Sequence, residues 1–248
     1  MRWRPFLSEV LSHNSSMRLS IIVPALNEGE VIAGLLNTLQ PLRSAGCELI
    51  LVDGGSTDAT RDLAVSLVDC LVFSPPGRAH QMNQGAAVAR GEWLWFLHAD
   101  SALLAKPRDY LAAIIASRSD WGRCDIRLDA PGWIYRMIEW MMNWRSRLTG
   151  IATGDQGLFV RRDLFSGIGG YADIPLMEDV ELCRRLRRGQ RPTAVRHRLQ
   201  TSARRWQRFG VWRTILLMWR LRLAYFLGVD PERLARDYRQ CSSPTRGS

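Results

Sequence analysis

An apolar run, Trp93-Leu94-Trp95-Phe96-Leu97, ends on His98-Ala99-Asp100. Read as one strand, it points His98 and Asp100 to the same face, because side chains alternate along a strand. Two donors side by side at a strand end could hold a divalent ion that carries phosphates; the alternative is a strand end that is merely polar. Polar groups close other apolar runs too. Asn27 and Glu28 follow Ile21–Pro24, Asp53 ends Glu48–Val52, and Arg78 follows Cys70–Phe73. Asp53 either meets a base or ribose edge or caps the turn Gly54-Gly55-Ser56-Thr57-Asp58. Glu28 either binds ribose hydroxyls or steadies the next helix N-terminus, and Arg78 either clamps a diphosphate or stands in solvent. Downstream, Asp155-Gln156 lies in a glycine-flanked turn and either touches a substrate or only shapes that turn. Glu178-Asp179 opens a helix, where the dipole favours acids in most proteins.

The elements that must position these groups alternate. Leu19–Val23, Glu48–Asp53, Cys70–Phe73 and Trp93–Asp100 read as buried strands. Helical spacing separates them: Val31, Leu35, Leu36 and Leu39 before Pro41, then Ala59 to Leu67, then Ala79 to Arg90. Strand and helix in turn predict a parallel sheet with right-handed crossovers. Ligands in such sheets sit beyond the strands' carboxyl ends, where these polar groups collect. After Lys106-Pro107 the pattern changes. A helix (Tyr110 to Ala116), a short strand (Cys124 to Leu128) and an aromatic helix (Trp133 to Leu148) come next. Leu158–Val160 and the stretch through Val195 read as strands, with a helix between them from Glu178 to a C-cap at Gly189. A basic amphipathic helix (Val211 to Leu227) and a short helix from Pro231 follow. The expected organisation is an accessory extension (1–16) and one domain (17–208) with nucleotide-binding (17–105) and acceptor (106–208) halves. A helical appendage (209–240) and a disordered tail (241–248) complete it.

Composition narrows the function. The net charge of +10 is concentrated between Arg184 and Arg239, where 16 Arg face three acids. That invites a nucleic-acid reading, but these Arg alternate with large apolar residues and no recognised binding motif is present. The only Lys, Lys106, follows Ala105, which excludes a G-x-x-x-x-G-K phosphate loop. No G-x-G-x-x-G follows the first strand, so a nicotinamide oxidoreductase is disfavoured. Five scattered Cys without C-x-x-C spacing suit reduced thiols in a cytoplasmic setting. No run is long and apolar enough to span a bilayer. The Val211 to Leu227 segment suits either a membrane interface on its inner, anionic face or docking on the domain with Arg at the rim. The Trp133 to Leu148 helix is divided in the same way between core packing and an apolar cover on the acceptor side.

Taken together, Ile22-Val23-Pro24-Ala25-Leu26-Asn27-Glu28, Val52–Asp58, His98-Ala99-Asp100, Glu178-Asp179 and Arg204-Arg205-Trp206 resemble family 2 of the nucleotide-sugar glycosyltransferases. The His-Ala-Asp form, with Gly77-Arg78 and Gln81-Met82-Asn83-Gln84-Gly85 before it, resembles a bacterial subgroup named for arsenosugar biosynthesis. The resemblance implies the GT-A fold, a Rossmann-like, mostly parallel α/β sheet flanked by helices, here with an amphipathic C-terminal extension. It also implies transfer of a sugar from a nucleotide sugar, UDP- or GDP-linked, to an acceptor hydroxyl with inversion; exposed faces on the two aromatic helices would favour a lipid-linked or hydrophobic acceptor. Pro24, Ala25, Asn27, Glu28, Asp53, Arg78, Ala99 and Asp100 would then hold the nucleotide sugar. Asp155, Gln156, Arg205 and Trp206 would meet sugar or acceptor, and Asp179, beside Glu178, would be the base. Asp100, joined by His98, would hold Mn²⁺ or Mg²⁺. His98 departs from the family's D-x-D pattern; imidazole suits Mn²⁺ better than Mg²⁺, or His98 only bonds a phosphate.

Overall fold

A computed structural model describes residues 18–242. In chain order the elements are β1 (Leu19–Ala25), α1 (Ile32–Arg43), β2 (Glu48–Asp53), α2 (Thr60–Ala64), β3 (Cys70–Phe73), α3 (Arg78–Val88), β4 (Trp93–Phe96), β5 (Ala102–Leu103), α4 (Pro107–Ile115), β6 (Trp121–Leu128) and α5 (Trp133–Thr149). A 3₁₀ turn (Gly154–Gln156), β7 (Phe159–Arg161), α6 (Arg162–Gly167), α7 (Glu178–Leu186), β8 (Thr193–Thr201), α8 (Arg204–Phe209), α9 (Val211–Phe226) and α10 (Pro231–Ser242) follow. The expected extension at 1–16 lies outside the described residues, as do 243–248; residues 241 and 242 belong to α10 instead of a tail.

One eight-stranded sheet runs through both expected halves, in the order β3-β2-β1-β4-β7-β6-β8-β5. β3, β2, β1 and β4 are parallel, as their alternation with helices requires. Beyond β4 the sheet is mixed. β7 runs antiparallel to β4 and β6, β8 parallel to β6, and β5 antiparallel to β8. The central strands are buried on both faces. Leu19, Ile21, Val23, Leu49 and Leu51 meet α1 and α4 on one side, while Ile22, Ile50, Val52, Leu94 and Phe96 pack towards α3, α6 and α7 on the other. Gly85 lets α3 lie close on the sheet: a Cβ there would come within 2.5 Å of Ile22 and 2.9 Å of Val52.

Several boundaries differ from expectation. α1 continues through Pro41 to Arg43, with Leu39 and Leu42 buried. α7 stops at Leu186, three residues before Gly189. β4 ends at Phe96, not Asp100. β5 and α6 have too few residues to leave a periodic signature.

The largest departure is α5, which buries its polar side. β6 pairs with β7 only at Trp121 and Gly122, so that edge of its second half has no strand beside it among the described residues. Side chains of α5 take the strand's place. Asn143 accepts from Ile126 N–H at 2.9 Å and donates to Ile126 C=O at 3.1 Å. Glu139 accepts from Leu128 N–H at 2.6 Å, and Arg136 donates to Leu128 C=O at 3.0 Å. Buried backbone groups need partners, and here a helix supplies them. In consequence the tryptophans face out: Trp133, Trp140 and Trp144 are all exposed, the last two stacked at 5.6 Å. Core packing, one of the two expected roles for this helix, is therefore shared between its polar residues and Ile138 instead of falling to its tryptophans.

Candidate active site

At the carboxyl ends of β1 and β4 lies a hollow of about 310 Å³, lined by Pro24, Ala25, Leu26, Glu28, Gly77, Arg78, Gln81, His98, Ala99 and Asp100. Its floor is built locally. Asn27 adopts φ +55°, a left-handed conformation that Asn tolerates better than most residues. Its N–H donates to Ser56 Oγ at 2.9 Å, and its Oδ1 accepts from Thr57 N–H at 2.9 Å. Glu28 N–H donates to Thr60 Oγ1 and Gly29 N–H to Asp58. The loops after β1 and β2 are thus fastened to each other. Asn27, exposed, positions these loops while its neighbour Glu28 faces the hollow.

Asp53 takes the turn-capping role. It is fully buried, and its carboxylate accepts from the N–H groups of Gly55 and Ser56. Of the two roles open to it from sequence, capping is the one in place: both oxygens are turned into the Gly54–Ser56 turn. Gln81, quoted from sequence only as part of a motif, acts from the opposite side. Its Nε2 donates to Ala25 C=O at 2.8 Å and to Val52 C=O at 2.9 Å, tying the ends of β1 and β2 to α3. Asn83, two residues on, exchanges two hydrogen bonds with the backbone of Tyr171. Gly77, at φ +142°, turns the chain into α3 so that Arg78 begins the helix at the hollow's wall. A helix N-terminus plus a guanidinium favours an anion.

His98 and Asp100 do share the hollow, though a turn after the strand brings them there and not strand alternation. Burial, then the charge of Arg78, drives the His98 pKa down to about 3, so the imidazole is neutral and has a lone pair to offer. Burial and the nearby Asp100 raise the Glu28 pKa. Arg204 contributes positive charge to the same place, since it too acts on Glu28.

Gly154 links this hollow to the second acidic cluster. A Cβ at Gly154 would fall 2.7 Å from His98 Nε2, so only glycine fits against that ring. Its N–H donates to Asp179 Oδ2 at 2.8 Å, while Asp179 Oδ1 accepts from Val180 N–H at 2.7 Å. Burial, reinforced by Glu178, raises the Asp179 pKa to about 7. Asp155 is also raised by burial, and feels Arg145, Arg78 and Asp100 together. The two clusters are thus one electrostatic unit. Met177, immediately before, holds φ +69°, a strained conformation for its type; its buried side chain is anchored beside Val180 and Leu221.

Arg145 was not singled out from sequence. It lies within the field of Asp155 and Asp179, and burial lowers its pKa. Its Nε and Nη2 are buried without a hydrogen-bond partner among the described residues. Its signal was hidden in an aromatic helix that drew attention to its tryptophans. Gln156 is fully buried, its Oε1 accepting from Thr153 N–H, which makes it a shaper of the turn. Arg205 and Trp206 sit outside the hollow's lining. Arg205 stacks 3.9 Å from the ring of Tyr238 and bonds its hydroxyl, and Trp206 packs with α5 and α9.

The family model for glycosyl transferase family 2 matches residues 20–148. The chain belongs to that family. A PGL/p-HBAD biosynthesis glycosyltransferase of Mycobacterium bovis is 32% identical over 169 residues, covering 61% of this chain and 62% of the relative. The chain thus aligns with less than two thirds of the curated relative's length. Among solved structures, the mannosyltransferase PcManGT from Pyrobaculum calidifontis, in complex with GDP-Man and Mn²⁺, has TM-score 0.62 at 20% identity, covering 88% of this chain and 67% of that one. Glucosyl-3-phosphoglycerate synthase from Mycobacterium tuberculosis, with Mn²⁺, UDP and product, has TM-score 0.56 at 17% identity, covering 81% and 76%. This family 2 chain shares their GT-A fold, with helices α9 and α10 at its C-terminus.

No group of three or more His, Cys, Asp or Glu side chains able to cage a metal exists among the described residues. The donor set that does exist, Asp100 with neutral His98 at the wall of an anion-favouring hollow, fits an ion that takes its other ligands from phosphates and water.

Proposed function

We propose that this chain transfers a sugar from a nucleoside-diphosphate donor to an acceptor hydroxyl by a single inverting displacement. The observation that carries the reading is Gly154: its missing Cβ admits His98, and its N–H holds Asp179. One residue thereby spaces the diphosphate side from a carboxylate on the far side of the reacting carbon.

In this reading the diphosphate enters the hollow against Arg78 and the N-terminus of α3. Negative charge grows on it as the glycosidic bond breaks, and charge fixed beforehand at that point lowers the barrier. Asp100 and His98 would hold Mn²⁺ or Mg²⁺, which when bound would neutralise the departing diphosphate; the Mn²⁺ bound in both structural neighbours supports this. Asp179 accepts the proton of the acceptor hydroxyl. The acceptor oxygen forms its bond to the anomeric carbon, and the nucleoside diphosphate leaves with the electron pair of the broken one. A base with pKa near 7 combines a useful ionised fraction with real basicity. Asp155 and Arg145, which share the electrostatic field of Asp179, are the candidates to meet the sugar or the acceptor. Glu28 is the candidate for the ribose.

A thermal-shift panel of UDP- and GDP-sugars with and without Mn²⁺ tests the donor side. One class of donor raises the melting temperature, more with metal, and Asp100→Ala removes the metal-dependent part. Absence of any shift across the panel refutes the reading.

A further inference from the structure

Helix α9 carries Trp212, Leu216, Trp219, Leu223 and Phe226, each between 52% and 66% exposed, on one face. Arg213 and Arg220 border this row on one side and Arg222 on the other. No acid occurs on the helix. Helix α5 carries exposed tryptophans of its own, Trp133, Trp140 and Trp144, while its Tyr135, Ile138 and Met142 pack with Val211 and Ile215 of α9. Helix α9 thus leaves its most apolar row uncovered. Leaving such a surface in water is costly in proportion to its area.

We infer that this face docks the enzyme on an anionic phospholipid bilayer. Charge decides the occupant. The quarter of the chain that contains α9 has 16 Arg against three acids, so a second copy presenting the same face would be repelled, whereas phospholipid anions are attracted. Aromatic residues bordered by Arg match the headgroup boundary, where an indole rests at the interface and a guanidinium meets phosphate. No helix among the described residues is long and apolar enough to cross a membrane, so α9 lies on the surface. The attachment has a place relative to the site: Leu221, Met218 and Tyr225 on the opposite side of α9 pack with Met177 and Val180, the neighbours of the Glu178-Asp179 pair. Docking through α9 thus brings the acidic cluster close to the lipid surface.

The test uses the full chain and vesicles, with no sugar donor, so its outcome is separate from that of the transfer assays. The chain sediments with phosphatidylcholine vesicles containing phosphatidylglycerol, does so far less with phosphatidylcholine alone, and is released by salt. Brominated phospholipid quenches its tryptophan emission. Arg213→Glu with Arg220→Glu weakens partitioning about tenfold or more, and Trp212→Ser with Trp219→Ser lowers it similarly, with unchanged circular dichroism in both. Failure of the folded chain to sediment at low salt overturns the inference. So does equal binding by wild type and both variants, or a concentration-dependent dimer that the tryptophan substitutions dissociate while lipid binding is absent.

Discussion

Helices α3 and α5 both lie against the sheet, and they meet it in opposite ways. α3 sets Ala79, Met82 and Gly85 on a surface of Ile22, Ile50 and Val52, with its polar positions left for the site: Arg78 at the hollow, Gln81 on the ends of β1 and β2. α5 turns Glu139 and Asn143 inward and tryptophans outward. The difference lies in the strands beneath. Beneath α3 lie chiefly β1 and β2, each paired on both edges, so the helix meets apolar side chains and the hydrophobic effect orients it. Beside α5 the second half of β6 lacks a neighbour on one edge, and unpaired N–H and C=O groups demand polar side chains more strongly than apolar area demands burial.

The comparison can be broken in the site first. Asp179→Asn should lower turnover by roughly 10²- to 10⁴-fold while nucleotide binding persists, read as nucleoside diphosphate release against a binding isotherm. Its stability should move the other way. An acid whose folded pKa is raised from 3.8 to about 7 binds more protons folded than unfolded in that interval, so stability is lost as pH rises through it. At pH 8 the Asn variant should therefore melt higher than wild type. A variant that melts lower would show that the carboxylate's bonds to Gly154 and Val180 outweigh its burial.

The wild-type rate should fall about tenfold per pH unit below pH 7 and level off above it, as one protonation of Asp179 requires. A flat profile from pH 5 to 9 with chemistry limiting would remove this base from the step.

Next come the two helices. Asn143→Leu strands both backbone groups of Ile126 and should cost about 1–3 kcal/mol for each group left unpaired, read by denaturant unfolding. Gly85→Ala should cost about 1–3 kcal/mol by overpacking against Ile22 and Val52. The smallest effect belongs to Trp140→Ser: an outward tryptophan should change stability in water by no more than about 0.5 kcal/mol. A large loss there would mean that the aromatic face of α5 is an element of the fold.

Much of the parallel half was legible in the chain. Four apolar runs of strand length, separated by helical spacing and each ending on polar residues, specify the order of elements and the edge where the hollow lies, because backbone geometry converts those periods directly into structure. The grouping of Glu28, Arg78, His98 and Asp100 follows from that edge. Tertiary contacts alone settled the rest. For Asp53 the sequence leaves both ligand contact and turn capping open, and the cap forms because two backbone N–H groups that the residue letters do not locate meet its oxygens. The link from His98 through Gly154 to Asp179, and the field of Arg145 upon it, join segments far apart in sequence. The polarity of α5 was decided by an unpaired strand edge, and strand pairing depends on distant segments that a local pattern does not encode.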